Sequence, residues 1–380
     1  MKSIKAIRTN NGSITYDPHL INEAFTNFYK NLYSCPPPNN VNSENYLDKI
    51  SLQSATESEK ATLSAPFTER EVWDAIQSMP TGRAPGLDGY PVEYYRKFWP
   101  ELKPILMPAL HHIYEHNVIP NSWKTASISL ILKKDKNPSD CSSYRPISLL
   151  NVDFKIVAKV LARRLDALLP RLIHPDQTGF VRSRHGSDNV RRALNIVDHL
   201  SRNPDPAFIV SLDAEKAFDR VHWDFLFAVL KKINLGSSFI NMIKSLYSYP
   251  NAVVNTNNFH SDVFPVSRGC RQGCPLSPLL FCLVIEPLAQ SIRNSTRLTG
   301  IKIGGEDHRI SLYADDVLLY LSNPNASVNI VLDLISDYSS VSGYKINLDK
   351  SLALPINISQ SDNIRQITPF HISDTGFKYL

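Results

Sequence analysis

The chain has 380 residues, 43% of them hydrophobic and 20% charged, with a formal net charge of +5. This is ordinary globular composition for two lobes or one domain with extensions, and it excludes a largely disordered chain, a collagen or a coiled coil. The longest strictly apolar run, Leu279 to Ile285, is far short of the roughly 20 residues a bilayer span needs, and Met1 to Thr15 lacks the apolar stretch of a signal peptide.

In chain order, Leu20 to Leu32 carries Ile21, Phe25, Phe28 and Leu32 at helical spacing. Pro36-Pro37-Pro38-Asn39-Asn40 reads as a linker, and Thr68 as the cap of a helix with Glu69 and Glu71 in its first turn. Pro80 to Gly89 is a turn-rich loop. A helical stretch from Pro91 to Asn117 is interrupted by Pro100, Pro104 and Pro108. Ala126 to Leu132 reads as a strand, and Phe154 to Leu172 and Asp188 to Ser201 as helices. The second half alternates more. Ala207 to Leu212 is a β run, Trp223 to Ile233 and Ser238 to Tyr247 are helical, and Ala252 to Val254 and Val263 to Val266 are short strands. Pro275 to Ser291 is an apolar helix, Ile310 to Tyr313 and Val317 to Leu321 are β runs, Asn325 to Val341 is a helix and Leu352 to Pro355 a last strand. A helical first half before a β–α–α–β–β–α–β second half makes an α+β protein.

Five cysteines in a chain of this size point to reduced thiols inside a cell. Cys270 and Cys274 lie four apart with no second Cys/His pair beside them, which disfavours structural zinc. Residues 121–200 hold 14 basic and 7 acidic side chains, a block at +7 that includes Lys133, Lys134, Lys136 and Arg145. Such a block suits a phosphate-rich partner, or else a solvated basic surface.

Tyr313-Ala314-Asp315-Asp316 sits between two β runs, the pattern of a tight hairpin. Adjacent carboxylates at a hairpin tip are either solvated turn residues or ligands for a hard divalent cation. Asp213 ends the Ala207 to Leu212 run. If that strand lies beside the hairpin, three carboxylates converge, an arrangement that holds two metals for nucleotidyl transfer. Asp219 reads better as a salt bridge or helix cap, and His174 as structural.

These segments resemble reverse transcriptases. Leu212-Asp213-Ala214-Glu215-Lys216-Ala217-Phe218-Asp219 and Tyr313-Ala314-Asp315-Asp316 look like the two catalytic motifs. Arg271-Gln272-Gly273-Cys274-Pro275-Leu276-Ser277-Pro278 resembles the motif between them, Ser342 to Ser351 the next, and Phe377 to Leu380 the start of the one after. Ala84 to Gly89, Tyr144 to Leu150 and His174 to Phe180 are similar to segments of the LINE-type (non-LTR) retrotransposon branch. The order and spacing agree over residues 66–380.

The resemblance implies a right-hand polymerase fold, with an N-terminal extension over residues 1–65, fingers over 66–205, a mainly palm region over 206–380 whose antiparallel sheet is covered by helices, and no thumb. It implies an RNA-directed DNA polymerase that copies an RNA template from a DNA primer at nicked target DNA, with dNTPs as substrates, two Mg2+ ions (or Mn2+) as cofactor, and no membrane partner. Nucleus and cytoplasm are both compatible compartments. Asp213, Asp315 and Asp316 would be the catalytic, metal-binding carboxylates. Lys133, Arg145, Phe218, Gln272, Gly273 and Lys350 would bind the nucleotide: Phe218 stacking under the sugar, Lys350 protonating pyrophosphate, and Lys134 and Lys136 equal to Lys133 by sequence. A non-catalytic relic that keeps the fold and binds nucleic acid is the alternative. A group II intron-like maturase is disfavoured by the LINE-like upstream segments.

Overall fold

The computed structural model describes residues 3–9, 11–34, 40–359 and 368–379. Its elements are mixed α and β. Those that position the site are, in chain order, α1 (Pro18–Tyr33), α2 (Glu69–Ser78), β1 (Thr125–Leu132), β2 (Tyr144–Leu149), α3 (Val152–Asp166), α4 (Gly186–Arg202), β3 (Ala207–Leu212), β4 (Asn251–Thr256), α5 (Ser277–Asn294), β5 (Ile310–Tyr313), β6 (Asp316–Ser322), α6 (Pro324–Ser342), β7 (Leu352–Ile356) and β8 (His371–Ile372). The chain forms two compact units. The first holds residues 1–37, 56–165 and 235–277, and the second residues 38–55, 166–234 and 278–380. No helix among the described residues is long and apolar enough to cross a membrane.

The first unit is built on a sheet in which β1 pairs antiparallel with β2 and parallel with β4. Pro146 sits in β2, at the sheet edge, where the missing amide costs no inner ladder bond. Asp17 caps α1 by accepting from the amides of His19 and Leu20. At α2, Thr68 and Glu71 form a reciprocal capping box. The Glu71 carboxylate also takes a two-pronged ion pair from Arg164 of α3, at 2.7 and 2.8 Å. The same guanidinium donates to the carbonyls of Leu63, Ala65 and Pro66. Burial pushes the Glu71 carboxyl up, but the Arg164 and Thr68 hydrogen bonds outweigh it and hold the group below its ordinary range. Arg164 and Arg184 therefore spend their charge inside the protein, the latter on the carbonyls of Pro170, Ile173, His174 and Gln177.

Two expectations shift at prolines. The stretch from Pro91 to Asn117 breaks at Phe98, into Val92–Lys97 and Trp99–His116, and the second helix runs on through Pro104 and Pro108. Both prolines lie on the exposed side, so the carbonyls they leave without amide donors can turn to water. The helix expected over Phe154 to Leu172 stops at Asp166, and Pro170 opens a new short helix, Leu169–Leu172. The expected linker Pro36 to Asn40 lies outside the described residues, apart from Asn40, which starts a helix.

The second unit holds a five-stranded sheet in the order β5-β6-β3-β7-β8, antiparallel except for the parallel β7–β8 pair at its edge. One face of β3 and β6 (Phe208, Val210, Leu212, Val317, Leu319 and Leu321) is at most 2% exposed. The other packs Ile209, Leu318 and Tyr320 against Ile196 and Leu200 of α4. Both faces being covered explains why β3 and the core of β6 read as nearly continuous apolar runs.

Behind β5 lies a strap, residues 174–179, held by buried charges. Both Asp176 carboxylate oxygens accept from Arg293 Nη1, each at 2.8 Å, and Asp176 lies 3.0 Å from His174 Nδ1. Arg293 also bonds Glu286. Burial pushes Asp176 up, but His174 and Arg293 outweigh it and hold it low. Glu286, 3% exposed, goes the other way: burial pushes it up to about 7 against the pull of Arg293.

Two outcomes follow from these charges. Arg164→Ala leaves Glu71 and three carbonyls without their donor. Denaturant titration should show a loss of roughly 2–3 kcal/mol, below the roughly 3–5 kcal/mol for breaking a fully buried pair, because Glu71 is partly exposed. Arg164→Lys should not restore it, having no fork; a titration equal to wild type would contradict this role. For Glu286 the folded group titrates above its unfolded value. Its protonated form thus favours folding at acid pH, and that contribution is lost as pH rises through about 7. Glu286→Gln should melt like wild type near pH 5 and above it at pH 8. A difference that does not change with pH would contradict the assignment.

Candidate active site

The ladder between β3 and β6 pairs Leu212 with Val317, and continuing it by one residue sets Asp213 opposite Asp316. Directly opposed residues project from the same face, and like charges there are destabilising. Asp213 and Asp316 are exposed and Asp315 is half-buried. Asp315 is the second residue of a two-residue turn, because Tyr313 pairs with Asp316 across the β5–β6 hairpin. Tyr344 is 6% exposed, and its hydroxyl has no hydrogen-bond partner among the described residues. Burial pushes that hydroxyl up, and Asp315, Asp213 and Asp316 push it further, so all three carboxylates act on one buried point. As the side chains stand, no three His, Cys, Asp or Glu groups among the described residues are gathered into a metal-holding cluster. Three hard carboxylate donors at neighbouring strand ends still match the chemistry of Mg2+, whose ligands are oxygens.

The turn itself is strained. Ala314 has φ +55°, a left-handed backbone that costs a residue with a side chain about 1–2 kcal/mol. Its amide donates to Gln177 Oε1 at 2.9 Å. Gly179 meets the turn backbone so closely that a Cβ there would collide with the Ala314 nitrogen. Thr178 N–H donates to Leu312 O at 2.8 Å, and Leu312 N–H to Asp176 O at 2.9 Å, so the strap runs along β5 as a short extra strand. Asn189 Nδ2 donates to the same Leu312 carbonyl, at 2.7 Å. The His174 to Phe180 segment stands out in the sequence, but nothing in it marks Gln177 as a contact of the turn beyond a neutral amide two residues before a glycine.

Phe218 is half-buried. Its ring stacks on Phe281 of α5, with centroids 4.3 Å apart and an 18° tilt, and meets Phe180 edge-on at 6.4 Å. Lys350 is exposed, in a turn closed by its amide on Asn347 O. Asp219 is 2% exposed. These residues and the three aspartates all belong to the second unit.

The first unit carries Lys133, Arg145, Gln272 and Gly273. Lys133 N–H donates to Ser143 O just beyond the β1–β2 ladder, and Arg145 pairs with Ile131 inside it. The two cations are therefore diagonal neighbours on one face. Gln272 O accepts from Ser148 N–H at 2.7 Å. Gly273 has φ +114°, and a Cβ there would press into Ser148 O, so the loop lies flat on β2 only because residue 273 is glycine. The register thus gathers these four around β2.

Residues 131–380 match the family model described as reverse transcriptase (RNA-dependent DNA polymerase). The chain is 34% identical over 355 residues to the transposon TX1 uncharacterized 149 kDa protein of Xenopus laevis, covering 93% of this chain and 27% of that protein. It is 27% identical over 294 residues to the retrovirus-related Pol polyprotein from type-2 retrotransposable element R2DM of Drosophila melanogaster (75% of this chain, 27% of that protein). To the RNA-directed DNA polymerase from mobile element jockey of Drosophila melanogaster it is 27% identical over 291 residues, covering 74% of this chain and 31% of that protein. The chain thus spans about a quarter to a third of the length of these relatives. With a family model matched over well over half its length and non-LTR retrotransposon proteins as relatives, the chain belongs to the reverse transcriptase family.

Proposed function

We propose that the chain is the polymerase portion of a LINE-type retrotransposon protein, which extends a DNA primer on an RNA template by nucleotidyl transfer at nicked target DNA. The observation that carries the reading is the placement of Asp213 opposite Asp316, with Asp315 in the adjoining turn. A protein gains no stability from setting like charges face to face, so a cation that neutralises them is the simplest account of the arrangement. Asp213, Asp315 and Asp316 would hold two Mg2+ ions. Bound Mg2+ supplies charge neutralisation at the reacting phosphate and acidifies the primer hydroxyl. The exposed carboxylates adjust to it by side-chain rotation, on strand ends whose backbone the ladder fixes.

The other residues bind and orient. Lys133 and Arg145, side by side on one face of the β1–β2 hairpin, offer paired positive charge to a triphosphate. Gln272 and Gly273 present a flat backbone edge to the incoming nucleotide or template base. Lys350, exposed, is the proton donor to pyrophosphate. The intracellular setting follows from the same reading, since template and primer are there.

Primer extension on poly(A) with oligo(dT) tests the reaction. Wild-type extension should need Mg2+. Asp315→Asn keeps the side-chain shape and removes a ligand charge, so it should lower extension by about 100- to 1000-fold, as removal of a dominant electrostatic group does. Extension by that variant at the wild-type rate would overturn the reading.

Sugar selection is a separate outcome. A flat apolar ring under the sugar leaves a ribose 2′-hydroxyl without a partner, at about 1–3 kcal/mol, or roughly 5- to 200-fold against ribonucleotides. Phe218→Ala should raise GTP incorporation more than it lowers dGTP incorporation, and Phe218→Tyr should keep most of the selectivity. Equal loss of both in the alanine variant would make Phe218 only the middle ring between Phe180 and Phe281.

A further inference from the structure

Gln177 is fully buried, one residue past the Asp176–Arg293 anchor and facing the Asp315 turn. Its Oε1 accepts from two amides, Ala314 N–H and Gly179 N–H, each at 2.9 Å. Its Nε2 reaches the Ala314 carbonyl at 3.5 Å. One carboxamide thus addresses both the amide and the carbonyl of the single strained residue in the turn. The strap that carries it is fixed at three further points: the Thr178–Leu312 and Leu312–Asp176 backbone bonds, the Arg184 guanidinium on the Gln177 carbonyl, and the closely packed Gly179 backbone. None of these contacts involves a carboxylate of the turn. What they determine is the backbone at residue 314, and through it the direction in which residues 315 and 316 leave the turn.

We propose that Gln177 is a positioning residue, holding Ala314 in its left-handed conformation so that Asp315 and Asp316 point to a common cation. This rests on the metal-binding reading of the three aspartates. Without the carboxamide, Ala314 relaxes toward an ordinary negative φ, and the carboxylate pair loses its shared direction while the sheet behind it stays intact. A glycine at 314 removes most of the conformational penalty and with it most of the need for the clamp.

The test uses the 380-residue chain with Gln177→Met, which fills the space without the polar atoms, Gln177→Glu, which keeps an acceptor for both amides, and Gln177→Met combined with Ala314→Gly. Two quantities are read: hydrogen exchange in peptides over the turn and over β3, and the Mg2+ concentration giving half of the metal-induced rise in melting temperature. In Gln177→Met, turn amides should exchange about tenfold faster or more, the loss of one buried hydrogen bond, while β3 amides keep wild-type protection. The Mg2+ requirement should rise by about tenfold in parallel. Gln177→Glu should keep turn protection near wild type. Adding Ala314→Gly to Gln177→Met should return the Mg2+ requirement to within about threefold of wild type, because glycine adopts the turn unaided.

A wild-type Mg2+ requirement in Gln177→Met overturns the proposal. So does equally faster exchange in β3 with no rescue by glycine, which would make Gln177 a general packing residue. Asp315→Asn separates the two readings. If it keeps the full Mg2+ response, metal binding at these aspartates fails, and positioning toward a cation fails with it. If it abolishes the response while Gln177→Met leaves it unchanged, only the positioning role fails.

Discussion

The site depends on a single ladder. Six residue pairs tie β3 to β6, and both faces of the paired strands are covered, so each face must fit its own neighbours. A shift by one residue would exchange the two faces, moving Phe208, Val210 and Leu212 onto the side packed by α4 and Ile209 onto the other, where neither set fits. The same shift would part Asp213 from Asp316. Burial on two faces therefore sets the position of two exposed carboxylates that contribute nothing to the core. Their mutual repulsion is the cost of that placement, borne by the packing beneath them.

The strap behind the hairpin extends the same logic. Asp176 and Arg293 form a buried pair that is secure only while both are charged, and Glu286 beside them sits near its point of protonation at neutral pH. Buried charge of this kind adds little to stability over well-packed apolar side chains, but it holds its partners to one geometry. Here the geometry is the path of residues 174–179 along β5, which delivers Gln177 to the turn. In the first unit Arg164 does comparable work, gathering Glu71 and the chain from Leu63 to Pro66 on one guanidinium. In both units an arginine gathers irregular backbone, Arg164 the carbonyls of Leu63, Ala65 and Pro66 and Arg184 those of Pro170, Ile173, His174 and Gln177.

Much of this was legible in the residues. The helices with a clear apolar stripe, α1, α4 and α6, and the apolar β runs of β3, β5 and β6 stand within a few residues of where their periodicity puts them. The paired aspartates, with Asp213 at a strand end, were visible as spacing alone. What was hidden had little periodicity to show. Helices Asn40–Asp48 and Glu57–Leu63 are short and polar, and β2 is broken in pattern by Arg145 and Pro146. The helix over Trp99–His116 tolerates internal prolines because of which side faces water, and a sequence does not state that. Gln177 was out of reach for a different reason. Its chemistry is set by Ala314, 137 residues further along the chain, and no local rule connects the two.

The central claim is that the three aspartates share one cation site. Mn2+ binding to the chain, followed by the loss of its free-ion electron paramagnetic resonance signal, measures this without template, primer or nucleotide. The account predicts saturable binding that Asp213→Asn and Asp316→Asn each weaken by about tenfold or more, although the two residues lie 103 positions apart, since each removes one charge from the same site. Binding as tight in either variant as in the wild type would contradict it.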